Sequence, residues 1–230
     1  MKQVVLSNIP FKPDRDGLLK KLHMDAGSED GIRFLDLIRQ AEKIGRPKAV
    51  YALASIDQKL SDGVVVEGIR LTSRIMRVNF ADINRVFPYV ITCGRELSEW
   101  AAGLEDMLEQ YMADLIMEQA LEAARRYLYD HLDKEYRLGS FKSMNPGSLE
   151  DWPLSQQKQI FQILGKVKEA IGVELNDSCL MLPMKSVSGI LFQTESSYEN
   201  CQLCPREFCP NRRAEYNPQL FEEKYQGAYK

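Results

Sequence analysis

ELSEWAAGLEDMLEQYMADLIMEQALEAARRYLYDHLDKEY, residues 96–136, sets Leu97, Trp100, Leu104, Leu108, Tyr111, Leu115, Leu121, Ala124, Leu128 and Leu132 three or four positions apart over most of its length. That is the period of an α-helix with one apolar stripe, so the stretch predicts the long helix around which the fold is built. It is longer than an ordinary globular helix, and Gly103 marks the place for a bend.

The pattern changes on both sides of this helix. Upstream, Ala49–Ile56, Gly63–Leu71 and Arg85–Cys93 read as strands, and the turn signal Asp62-Gly63 precedes the second. Pro88 inside the third predicts an edge or a bulge, because proline cannot donate to a ladder. Residues 14–45 read as two helical pieces, stopped by Gly45 and Pro47. Downstream, glycines 139 and 147 and prolines 146 and 153 predict one extended loop over Leu138–Pro153. A short helix over Leu154–Leu164 follows, and Cys179–Phe192 returns to strand, interrupted by Pro183 and Gly189. The polar tail Arg212–Lys230 is expected to lie over the surface. This mixture predicts an α/β protein with an N-terminal helical segment over 1–47, a core over 48–200 and a cysteine-rich tail over 201–230.

At 230 residues and 44% hydrophobic, the chain can bury a substantial core. Thirty basic against 33 acidic residues give a net charge of −3, which offers no bulk attraction for nucleic acid or an anionic membrane, and neither is expected as a partner. The first ten residues lack the apolar run of a signal peptide, and a cytoplasmic protein is expected. No Gly-x-Gly-x-x-Gly follows a strand and no Gly-rich phosphate loop is present. Only His23 and His131 exist, so a nucleophilic triad has little to draw on.

Chemistry concentrates elsewhere. Cys201, Cys204 and Cys209 fall within nine residues, and soft thiolates at such spacing are able to converge on zinc or an iron–sulfur cluster. A fourth donor would then come from Cys93, Cys179, a histidine, a carboxylate or an exogenous ligand. A redox-labile tail or a disulfide loop is the alternative, while the odd number of cysteines argues against a secreted disulfide framework. On the long helix, Glu118 and Glu122 stand one turn apart with Arg125 and Arg126 just beyond, as a polar site or an ion-pair ladder.

Three ordered motifs add a resemblance. Pro146-Gly147 followed by Glu150-Asp151-Trp152-Pro153-Leu154 and Gln157, the strand Lys185-Ser186-Val187-Ser188-Gly189, and Val86-Phe87 leading through Thr92 and Gly94 to Glu96-Leu97 resemble the activation domain of cobalamin-dependent methionine synthase, over roughly residues 50–210. The tail Cys201, Cys204, Cys209, Pro210 resembles that of stand-alone members of the family.

The resemblance implies a mixed α/β fold with a largely antiparallel sheet and long helices. It implies binding of S-adenosylmethionine and support of reductive remethylation of a cobalamin presented by a partner, either a corrinoid-binding protein or methionine synthase modules, with an electron donor. Glu122, Pro146 and Gly147 correspond to positions near the ligand, and Tyr198 to a tyrosine able to stack on adenine or to pack at the strand end. Where the family has an arginine four before the glycine and a tyrosine after it, this chain has Ser143 and Ser148, so Arg137 or Lys142 would have to supply the cation. Trp152 would cover a corrinoid face or plug the core. A rival reading is a non-enzymatic adaptor, bearing a metal or iron–sulfur cluster, that docks on or passes electrons to a corrinoid methyltransferase protein.

Overall fold

The structure is a computed structural model, and it describes residues 2–195, 198–209 and 212–226. Its strands are β1 (Gln3–Leu6), β2 (Lys48–Ala52), β3 (Ala54–Lys59), β4 (Gly63–Val66), β5 (Ile69–Thr72), β6 (Arg85–Thr92), β7 (Phe141–Met144), β8 (Glu174–Leu175), β9 (Met181–Leu182) and β10 (Ser186–Gln193). The helices are α1 (Arg15–Lys21), α2 (Glu29–Ile44), α3 (Arg74–Asn79), α4 (Arg95–Ala102), α5 (Met107–Tyr136), α6 (Gln157–Leu164) and α7 (Val167–Ile171). All strands but β8 and β9 join one sheet whose pairings are antiparallel. This is the mixed fold with long helices that the resemblance implies. No described helix is long and apolar enough to cross a membrane.

Strand β6 is the centre of the sheet, paired with β2 and β3 along one edge and with β10 along the other. Alternation decides its two faces. Val86 and Val90 enter a core with Trp152, Ile160, Phe192 and Tyr198, under α3, α6 and α7. Phe87, Tyr89 and Ile91 enter another with Ala124, Leu128 and Leu132 of α5. A third cluster, with Phe34, Ile38, Leu97 and Ile116, joins α1, α2, α4 and α5.

Several expectations need correction. Pro88 lies in the middle of the sheet, opposite Ile190, and not at an edge. Its missing donor breaks the ladder on the other side, where one extended chain is split into β2 and β3 while the register from Tyr51↔Tyr89 to Ala54↔Val86 carries through unchanged. The run Gly63–Leu71 is a hairpin and not one strand, because Glu67 and Gly68 take positive φ of 48° and 76° in a two-residue turn. At Gly103 the helix ends outright, and the Asp106 side chain restarts it by accepting from the N–H groups of Leu108 and Glu109 at 2.9 and 3.0 Å. Tyr111 faces solvent, 53% exposed.

The stretch expected as one loop over 138–153 contains β7, which pairs with β10. Strand β1 comes from the stretch 1–47 expected to be helical, and pairs with β2. The tail does not merely drape, since Phe221–Gln226 forms a π-helix whose Tyr225 is fully buried, its hydroxyl donating to Asn79 Oδ1 at 3.3 Å.

Candidate functional site

An open groove of about 1040 Å³ runs between the exposed side of α5, the chain from Ser143 to Ser148, and the tail beyond β10. Its wall depends on two glycines. Gly147 holds φ at 81°, where a side chain is strained, and its N–H donates to Trp152 O at 2.7 Å, which closes the loop on itself. A Cβ at Gly189 would collide with the Asn145 side chain and the Met144 carbonyl. The absent side chain lets Asn145 lie across the strand, where its Nδ2 donates to Tyr89 Oη and Ser188 O, both at 2.8 Å. Burial pushes the Tyr89 hydroxyl well above the ordinary phenol value, so it remains protonated.

The three sequence motifs meet behind this wall. Ser188 Oγ donates to Gln157 Oε1 at 2.8 Å, and Gln157 Nε2 donates to Cys179 O at 2.7 Å. Ser186 Oγ lies 2.9 Å from Thr92 Oγ1 and 2.7 Å from Pro183 O. Asp151 accepts from the Ser73 hydroxyl and from the N–H groups of Arg74 and Ile75, at 3.2 and 3.1 Å for the two amides, so it caps α3 from a distant loop. Ser73, Thr92, Gln157, Ser186 and Ser188 are buried, and their hydrogen bonds stay inside the frame.

Of the residues expected at a ligand, Glu122 and Gly147 line the groove. Pro146 lines a recess of about 490 Å³ that shares Arg125, Asn145, Ser148 and Val187 with it. Tyr198 lines neither: it is 3% exposed, with its hydroxyl 2.5 Å from Asn200 Oδ1 and its ring tilted against Phe192. Trp152 is 1% exposed in the core and cannot cover a macrocycle. Its indole N–H has no partner among the described residues.

The cations expected to replace the loop arginine are elsewhere. Lys142 Nζ pairs with Glu199 at 2.8 Å and Arg137 caps α5, and neither lines the groove. Six other basic side chains do, against Glu118 and Glu122. Most are committed: Arg125 to Glu122 at 2.9 Å, Lys21 to Glu118 at 3.0 Å, Lys185 to Asp114 at 2.9 Å and Arg213 to Glu199 at 3.3 Å. The Arg212 guanidinium donates to backbone carbonyls of Cys201 and Ala214 at 3.2 and 3.4 Å. Arg206 makes no ion pair among the described residues. Asn145 and Arg206 escaped the sequence reading. The Asn-Pro dipeptide is a turn signal that could have marked the first, but no local pattern marks the second.

Cys201, Cys204 and Cys209 all line the groove, but they are not brought together as the ligand set expected of them. Among the described residues no group of three or more His, Cys, Asp or Glu could hold a metal ion. The proposed fourth ligands Cys93 and Cys179 are buried, and burial pushes the Cys93 thiol up to about 12. Pro210, which completes the tail motif, lies outside the described residues. Cys201 differs from Cys93. Partial burial opposes its thiolate, but the N–H groups of Arg213 and Ala214 and the Arg213 guanidinium outweigh that and hold its pKa below the ordinary thiol value.

Residues 147–211 match the family model described as vitamin B12 dependent methionine synthase, activation domain. No curated protein matches the chain. Among solved structures, the crystal structure of the MetH reactivation domain bound to AdoHcy is similar to it, with a TM-score of 0.62 over 86% of this chain and 80% of that one. Identity there is 16%, so the likeness is one of fold. Residues 147–211 are thus similar in sequence to the activation domain of vitamin B12 dependent methionine synthase, and most of the chain shares the fold of a reactivation domain.

Proposed function

We propose that the chain binds S-adenosylmethionine in the groove beside Glu122 and Gly147, and supports reductive reactivation of a corrinoid protein such as methionine synthase. The observation that carries this reading is the position of Gly147 and Glu122 on opposite walls of one groove, the glycine lying within the stretch matched to the activation-domain family. The likeness to a reactivation domain bound to AdoHcy, the demethylated form of the same ligand, supports it. The corrinoid and the methyl donor bring the reacting atoms. Given a one-electron donor, the partner's corrinoid would accept the methyl group of the sulfonium, with AdoHcy as the product left behind. The chain's part is to bind and orient. Glu122 faces the cationic portion of the ligand, and Arg206, the uncommitted guanidinium, takes the carboxylate in place of the missing loop arginine. The adaptor reading rested on a tail metal or cluster, and the described cysteines give it no ligand set.

Calorimetric titration with AdoHcy tests the proposal. The wild-type chain should bind, and Arg206→Ala should weaken binding by about 1.5–3 kcal/mol, the usual worth of a hydrogen bond to a charged group. Absence of heat from the wild-type chain at millimolar ligand would overturn the methyl-donor reading. Unchanged affinity in Arg206→Ala would remove that residue alone.

A further inference from the structure

We propose that Cys201 and Cys204 form a redox-active dithiol that exchanges with a low-molecular-weight disulfide and closes an internal disulfide on the groove wall. The pair sits in one turn: Cys204 N–H donates to Cys201 O at 3.3 Å, within the 3-10 helix Asn200–Leu203 and its cap. A hydrogen-bonded i to i+3 turn keeps its end Cα atoms within about 7 Å. A disulfide spans about 4.4–6.8 Å between Cα atoms. Both thiols are free and partly exposed, and both line the groove, whereas Cys93 and Cys179 are buried. The Arg212 guanidinium holds the two backbone carbonyls together, reaching Cys201 O at 3.2 Å and Cys204 O at 3.5 Å. Cys209 lies outside this turn, and its carbonyl accepts from the Arg212 N–H at 3.2 Å.

The geometry also assigns the roles. Cys201 Sγ accepts the Arg213 N–H at 3.4 Å, a contact that favours the thiolate, so Cys201 is the attacking sulfur. Its thiolate attacks one sulfur of the small disulfide RSSR, which forms a mixed disulfide and expels RS⁻. Cys204, losing its proton to solvent, then attacks the Cys201 sulfur, forms the internal bond and expels the second RS⁻. Overall, two protein thiols and RSSR give one protein disulfide and two RSH, so the protein is oxidised and the small disulfide reduced.

Peptide mapping of the full chain tests the proposal. Trypsin cuts after Lys185 and Arg206 with no basic residue between them, so one peptide carries both cysteines and leaves Cys209 in the next. After anaerobic incubation with oxidised glutathione and alkylation of the remaining thiols, the 186–206 peptide should be unalkylated and lighter by two hydrogens. Cys204→Ser should trap glutathione on Cys201, and Cys201→Ser should slow mixed-disulfide formation by about tenfold. Alkylation of Cys201 should show a midpoint below the ~8.5 of an ordinary thiol. Recovery of both cysteines fully alkylated, or of a bridge from either to Cys209, would overturn the proposal. Retained circular dichroism in both variants separates loss of exchange from loss of fold.

Discussion

The seam where β6, β10 and α6 meet and the cysteine-bearing stretch of the tail, Cys201–Cys209, are built on opposite principles. At the seam, Ser188 bonds to Gln157 and Ser186 to Thr92, side chain to side chain, and none of the four is more than 7% exposed. In the tail, three cysteines are partly exposed, Phe208 is 86% exposed, and the main tie is one guanidinium on backbone carbonyls. A buried polar pair that loses its partner bears the full cost of desolvation, so the seam tolerates few alternatives. An exposed loop tolerates many. Much of the Ser-Val-Ser-Gly and Asp-Trp-Pro-Leu-x-x-Gln signature therefore reports how the groove is braced, while Val187 of the same run faces the groove.

Substitutions can break this contrast. Trp152→Ala empties a site that is 1% exposed and should cost about 3–5 kcal/mol, read as a lowered urea midpoint with unchanged slope. Ser188→Ala leaves Gln157 Oε1 without its donor in a residue 2% exposed, and should cost about 1–3 kcal/mol in the same experiment. Phe208→Ala in the tail should move stability by no more than about 0.5 kcal/mol. A Phe208 loss as large as that of Ser188 would show that the tail is packed as tightly as the seam.

The same contrast explains what could be read from the sequence. Helix α5 was legible because Ala124, Leu128 and Leu132 pack against the sheet and Leu115 against the other helices, and such burial writes its period into the chain. The hairpin between β4 and β5 was not, because Glu67-Gly68 lacks the Asn or Asp that usually announces such a turn. Pro88 misled because the rule against central prolines assumes a ladder needing every donor, while here the ladder breaks at that residue. At the groove, Gly147 came from an ordered motif and Glu122 from the family resemblance, whereas Arg206 arrives only through the path of the tail, which no local pattern encodes. Tyr198 was ambiguous because a strand-end tyrosine packs or stacks with equal ease, and Phe192 and Asn200 supply the packing environment.

Arg212 gives the tail a mechanical character. Its guanidinium reaches the carbonyls of Cys201, Cys204, Arg206 and Ala214, so it works as a rivet through several layers of chain. The entropy of closing a loop grows slowly, by about 0.6 kcal/mol for each doubling of length. The span between Arg206 and Cys209 is thus free to lengthen or change at little cost as long as the rivet stays. A lysine at 212 keeps the charge but loses the planar fork that spreads over several acceptors. This surface accordingly tolerates change at Phe208 and resists it at a single arginine that touches only backbone in the contacts described.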